Sequence, residues 1–157
     1  MNEKSAVNET NIDMGKELSK WTIMFHNAIA SKLGITVTEF ECLESVYRNE
    51  VTTAGDLARK TGLTTGAITN VIDRLEKSGL VKRERDPKDR RKVIIEPITG
   101  REAEVNKYFD SMTQSMLELY LKYDEKEFEI IYGFIASVIN ILKEETKKLQ
   151  EPATPVK

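Results

Sequence analysis

At 157 residues and a formal net charge of −2, the chain suits one domain or two small lobes sharing a core. Apolar residues make up 39% and charged residues 32%, which excludes a wholly disordered chain and predicts many solvated helix faces. No apolar stretch approaches the roughly 20 residues needed to cross a bilayer, the N-terminus lacks a signal-peptide core, and one cysteine cannot close an intramolecular disulfide, so a reducing cytoplasm with no membrane partner is the expected setting.

Residues 1–10 are polar and read as a disordered tail. A first helix is expected from about residue 11 to Leu33, with Leu18, Trp21, Phe25, Ala28 and Ile29 at the spacing of one face and Gly34 as its stop. The next helix is expected to start at a Thr38–Glu41 capping box, with Val37 stapled onto Cys42 and with Phe40, Leu43 and Tyr47 inward. A short helix follows, capped by Thr53 with Asp56 three residues on, turning Leu57 and Ala58 inward and ending at Thr61-Gly62. Thr64 caps a fourth helix that runs to Lys77 or Ser78 and stops at Gly79. Ile68, Val71, Ile72 and Leu75 form its apolar stripe, and Thr65, Thr69, Asn70, Asp73, Arg74 and Lys77 its opposite face. Leu80–Arg85 and Lys92–Glu96 read as two short strands. Asp86-Pro87-Lys88-Asp89 between them has type I turn chemistry.

Two helices close the chain. The first is expected at a Thr99–Glu102 capping box, carrying Val105, Phe109, Met112, Met116 and Leu119 to about Lys122. The last starts at an Asp124–Glu127 box, with Tyr123 stapled onto Phe128 and a near-heptad seam of Phe128, Ile131, Ile135, Val138 and Leu142, widened by Tyr132 and Ile139. The end helices offer more apolar surface than the small central module can cover. Residues 11–34 and 99–149 are therefore expected to form a helical dimerisation lobe, around a winged helix-turn-helix DNA-binding lobe at 37–97, with a disordered tail at 150–157. The fold class is mostly α with a small β wing.

Charge is concentrated beside the central turn. From Arg74 to Lys92 nine basic and four acidic residues give a local balance of +5, leaving −7 on the rest. One basic stripe on an acidic body is the footprint of phosphate contact at one face. A helix set by a tight turn can enter a major groove while a basic hairpin reaches the backbone or minor groove. No catalytic site is expected: there is one histidine and one cysteine, no glycine-rich loop following a strand, and no metal-ligand spacing, so no enzyme, metal or cofactor is expected.

The chain resembles the MarR family of winged helix-turn-helix regulators. The likeness runs through Leu33-Gly34-Ile35-Thr36, Glu39-Phe40, Asp56-Leu57-Ala58, Ile72-Asp73-Arg74-Leu75-Glu76, Gly79-Leu80-Val81 and the wing Asp86-Pro87-Lys88-Asp89-Arg90-Arg91. It departs at Pro97-Ile98-Thr99, where the family usually has Leu-Thr. The resemblance implies a homodimer on a pseudo-palindromic operator, repression in most members, and in many a release of DNA by small, often aromatic acids. It also implies that Thr64–Lys77 is the recognition helix and Arg90 the minor-groove residue. On the same basis Trp21, Phe25, His26 and Tyr47, with Met24 nearby, are candidates for an effector pocket.

Residue chemistry adds roles. Thr65, Thr69 and Asn70 suit base contact, since Asn pairs bidentately with adenine and a Thr methyl meets a thymine methyl. Gly66 lets the helix come close to DNA, Thr64 serves as cap and phosphate contact, and Arg74, Lys77 and Lys88 are expected on phosphates or, for Arg74, guanine. Arg90 is expected in the minor groove and Arg91 paired with Asp86 or Asp89, which stiffen the wing. Asp73 is expected to orient Arg74, Lys77 or a wing arginine. Two alternatives are a redox switch at Cys42, which neighbouring glutamates oppose, and a protein-interaction module that binds no DNA.

Overall fold

The computed structural model describes residues 3–48 and 53–150, with side chains from Asp13 onward. In chain order the elements are α1 (Glu3–Leu33), α2 (Val37–Tyr47), α3 (Ala54–Thr61), α4 (Thr65–Lys77), β1 (Val81–Arg85), β2 (Val93–Pro97), α5 (Arg101–Tyr120) and α6 (Glu125–Gln150). The chain is mostly helical with one antiparallel two-stranded sheet, whose register pairs Val81 with Pro97 and Arg85 with Val93. Contacts group it into two units, Met1–Tyr108 and Phe109–Lys157.

The first unit carries the core. Phe40, Cys42, Leu43 and Val46 of α2, Leu57 of α3, the Ile68, Val71, Ile72 and Leu75 stripe of α4, and Leu80, Val81, Ile95 and Val105 are all buried. The α4 stripe is the one the 3.6-residue period predicts, and burying its four side chains stabilises the unit by roughly 6–12 kcal/mol gross. Leu75→Ala alone would cost about 2–5 kcal/mol. After α4 the N–H of Gly79 bonds the Glu76 carbonyl and that of Leu80 the Leu75 carbonyl, at 3.0 Å each, with Gly79 at φ +66°. This Schellman turn needs a left-handed residue, and it seats Leu80 in the core at the start of the wing.

Several boundaries differ from those expected. The α1 backbone is helical from Glu3, two turns ahead of residue 11, because no glycine or proline interrupts residues 3–14. Its predicted stripe is buried only near the C-terminal end, at Ile29, joined by Ala30, whereas Leu18, Trp21 and Ala28 are exposed. Of the expected tail 150–157, Gln150 is the last residue of α6 and 151–157 lie outside the described residues.

Helix α2 is capped by Thr36 with Glu39, not by Thr38 with Glu41. The Schellman turn at Gly34, where Ile35 N–H reaches the Ala30 carbonyl at 3.0 Å, leaves only Gly34, Ile35 and Thr36 between α1 and α2. The helix therefore starts at the earlier of two overlapping Thr-x-x-Glu registers, and the staple positions move from Val37 and Cys42 to Ile35 and Phe40. The Thr53–Asp56 box on α3 and the Asp124–Glu127 box on α6 form as predicted. The Thr99–Glu102 box does not, because Gly100 at φ +88° cannot be a first helical residue. Arg101 N–H instead closes a turn onto the Ile98 carbonyl at 3.1 Å.

The second unit is an apolar surface without a core of its own among the described residues. On α6 the seam residues Phe128, Ile131, Ile135 and Val138 are 37–42% exposed and no residue is buried. Met116, Leu119, Tyr120, Tyr123, Phe128, Ile131, Tyr132 and Ile135 line a cleft of about 360 Å³. The Tyr120 and Phe128 rings pack in a T-shape at a centroid distance of 5.4 Å.

Candidate nucleic-acid interface

Helix α4 and the wing form the candidate interface. The Thr64 hydroxyl accepts the Ala67 N–H at 3.3 Å, so Thr64 is the N-cap, as the sequence predicts. Thr65, Gly66, Thr69, Asn70, Asp73, Arg74 and Lys77 are all exposed, opposite the buried stripe. A Cβ added at Gly66 would meet nothing within 4 Å, so the chain's own packing gives no reason for a glycine there. The Thr69 hydroxyl donates to the Thr65 carbonyl at 2.9 Å.

A clasp joins α4 to the wing. Arg83, in the middle of β1, bonds Asp73 Oδ1 through Nη2 at 2.6 Å and Glu76 Oε2 through Nη1 at 2.5 Å. Its backbone N–H also bonds Glu76 Oε1 at 3.1 Å. Burial lowers the Arg83 pKa, but the two carboxylates outweigh it and hold the guanidinium above its ordinary value. Asp73 thus engages a wing-strand arginine, not its neighbour Arg74. Sequence reasoning gave Arg83 and Glu76 no pairing role; the signal for one was that Asp73 and Glu76 lie ten and seven residues before Arg83, across the Gly79 turn. Lys82, also on β1, bridges Glu84 at 2.5 Å and Glu96 of β2 at 3.4 Å, a cross-strand tie.

At the wing tip the turn is displaced from its expected place. The ladder runs one pair further, with Asp86 N–H on the Lys92 carbonyl at 3.0 Å. The hydrogen-bonded turn is Asp89–Lys92, closed by Lys92 N–H on the Asp89 carbonyl at 2.8 Å, instead of Asp86–Asp89. Arg90 and Arg91 are its two central residues and both are exposed. Asp86 Oδ1 accepts the Lys88 N–H at 2.7 Å, and Asp89 Oδ1 accepts the N–H and Nε of Arg91 at 3.2 Å each. Both aspartates close Asx turns in the loop, Asp89 also pairs with the Arg91 side chain, and Lys88 and Arg90 are exposed at the tip.

Elsewhere the first unit holds the other candidates. Trp21 is 59% exposed, with its Nε1 donating to Glu17 at 3.1 Å. His26 lies between Phe25 at 6.3 Å and Phe40 at 5.5 Å, centroid to centroid. The Tyr47 hydroxyl donates to the Leu80 carbonyl at 3.4 Å. Burial first, then Glu102 and Glu104 against the opposing effect of Arg101, push its pKa to about 12. Cys42 is buried, and burial, Glu41 and Glu39 push its thiol to about 11, which opposes a thiolate sensor. Among the described residues no helix is long and apolar enough to cross a membrane, and no cluster of three His, Cys, Asp or Glu could hold a metal ion.

Comparison with known proteins places this geometry. The MarR family model matches residues 35–93. The HTH-type transcriptional regulator YcgE of Bacillus subtilis (strain 168) is 36% identical over 150 residues, 96% of this chain and 97% of that protein. A MarR family protein from Bacillus stearothermophilus aligns in structure with a TM-score of 0.68 at 19% identity, over 91% of this chain and 99% of that one. Wild-type MarR from E. coli, in its apo form, aligns with a TM-score of 0.55 at 23% identity, over 88% of this chain and 96% of that one. At these identities the structural matches speak for the fold alone.

Proposed function

The chain belongs to the MarR family of helix-turn-helix transcriptional regulators, and from that premise we propose that it is a homodimeric repressor of a pseudo-palindromic operator. The observation that carries the reading is the clasp: one arginine ties an exposed helix face to a basic hairpin. Thr65, Thr69 and Asn70 meet base edges in the major groove, with Gly66 admitting the backbone closely. Thr64, Arg74, Lys77 and Lys88 lie on phosphates. Arg90 enters the flanking minor groove, while Arg91 and the two aspartates keep the tip in shape.

The dimer is formed by the end helices, residues 11–34 and 99–149. The exposed seam of α6 is apolar enough to demand a cover, and a second copy supplies one with matching chemistry. Two reading heads then span successive major grooves about 34–36 Å apart. A small aromatic effector seated near Trp21, Phe25, His26 and Tyr47 would release DNA by favouring a dimer whose heads miss that spacing, which is an affinity difference between two states. A cytoplasmic location follows from the same role.

The test is selection of the purified protein on random duplexes, followed by a salt titration on the enriched sequence. A near-palindrome with a steep negative salt slope is expected. No enrichment, or a shallow slope, overturns the reading in favour of a protein-interaction module.

A further inference from the structure

We propose that Glu39, a buried residue of α2, is a positioning residue for DNA binding that acts by holding the Arg74 guanidinium. The inference rests on the DNA-binding reading above and assigns a determinant of affinity to a side chain on the far side of the recognition helix from DNA.

Glu39 is 3% exposed and is the one charged residue among the buried side chains described, the rest being apolar apart from Ser45. One of its carboxylate oxygens, Oε2, accepts the Thr36 backbone N–H at 2.7 Å and so closes the α2 capping box. The other, Oε1, has no accessible surface and no aligned hydrogen bond. It faces Arg74 Nε of α4 as an ion pair. A buried carboxylate with one oxygen left to a cation is costly unless that cation stays, so the pairing is strongly held from the Glu39 side.

The two partners differ in exposure in a telling way. The Glu39 side chain is 4% exposed and that of Arg74 61%. Arg74 is held at Nε while most of its side chain stays in solvent, and by helical spacing it neighbours Asn70 and Lys77, four residues before and three after it on α4. A guanidinium is planar, so fixing Nε restricts where the two terminal nitrogens lie. An unanchored arginine loses rotamer entropy when it docks on a phosphate or a guanine; a pre-oriented one loses less. Glu39 also belongs to the corner that ends α1, through Thr36, so the same carboxylate links that corner to the recognition helix.

The experiment is a double-mutant cycle read by operator binding at fixed salt, on the sequence enriched from random duplexes. Glu39→Gln keeps the size and the acceptor for Thr36 but removes the charge, and it is expected to weaken binding about tenfold, the scale of one lost arginine contact. Arg74→Ala is expected to weaken binding equally, and the double variant no more than either alone. Arg74→Lys, which leaves a cation facing the carboxylate, replaces Arg74→Ala should that variant not fold. Circular dichroism and melting confirm that each variant is folded. Additive losses, unchanged binding by E39Q, or tighter binding by E39Q each overturn the proposal while wild-type binding leaves the regulator reading intact. A wild-type protein that enriches no duplex overturns both.

Discussion

Asp73 sits on the helix face proposed to meet DNA, and two effects of neutralising it have opposite signs. Asp73→Asn removes a negative charge near phosphates, which by itself favours binding. For a phosphate about 8 Å away in water that is ~0.5 kcal/mol before screening and ~0.2 kcal/mol at physiological salt. The same change opens one arm of the Arg83 clasp, a 2.6 Å contact in which Asp73 is 55% and Arg83 30% exposed. At such exposure an ion pair contributes about 0.5–1 kcal/mol, so the loss wins. The net loss of ~0.3–0.8 kcal/mol means that D73N should bind the operator about two- to fourfold more weakly at ~0.15 M salt, converted at ~1.4 kcal/mol per tenfold. Glu76→Gln, which opens the other arm, should move in the same direction. Fluorescence anisotropy of a labelled operator reads both. Tighter or unchanged binding by D73N would mean that the clasp does not order the wing.

Arg90→Ala should cost roughly tenfold in operator affinity and reduce the salt slope by about one, whereas Arg91→Ala, already tied to Asp89, should cost about twofold; equal losses would refute the division of labour at the tip. Cys42 and Tyr47 have folded pKa values raised from 9.0 to about 11 and from 10.0 to about 12. Each favours its protonated form in the fold, so the stability they contribute is complete below pH 9.0 and is lost as pH rises toward those values. Melting temperature should fall above that pH, less steeply in Cys42→Ala and Tyr47→Phe, and a flat alkaline profile would contradict the burial argument. Ile135→Asp places a charge in the exposed α6 seam and should give monomers by sedimentation velocity with only half-site DNA affinity; a persistent dimer would locate the interface elsewhere.

The helix-turn-helix was largely legible in the chain because its signals are local. The α4 stripe Ile68, Val71, Ile72 and Leu75, the Thr64 cap and the Gly79 stop follow from spacing of three and four residues, and each is present. The Thr53 and Asp124 boxes are likewise local. Locality also explains the errors. Thr36 and Thr38 offer equal capping registers, and only the turn that ends α1 selects the first. Asp86 and Asp89 both suit a turn's first position, and the length of the strand ladder selects Asp89.

Charge partners were the least legible. Composition places basic residues densely from Arg74 to Lys92, but a carboxylate can pair with any of several cations of equal chemistry. Packing settles the choice by distance: folding the wing back over α4 brings Arg83, not Arg74, to Asp73, and laying α4 on α2 brings Arg74 to Glu39, 35 positions away in the chain. Helical period and turn chemistry act within a few residues and so can be read along a chain. Coulomb interactions act through space, and the distances that decide them exist only once the elements have packed.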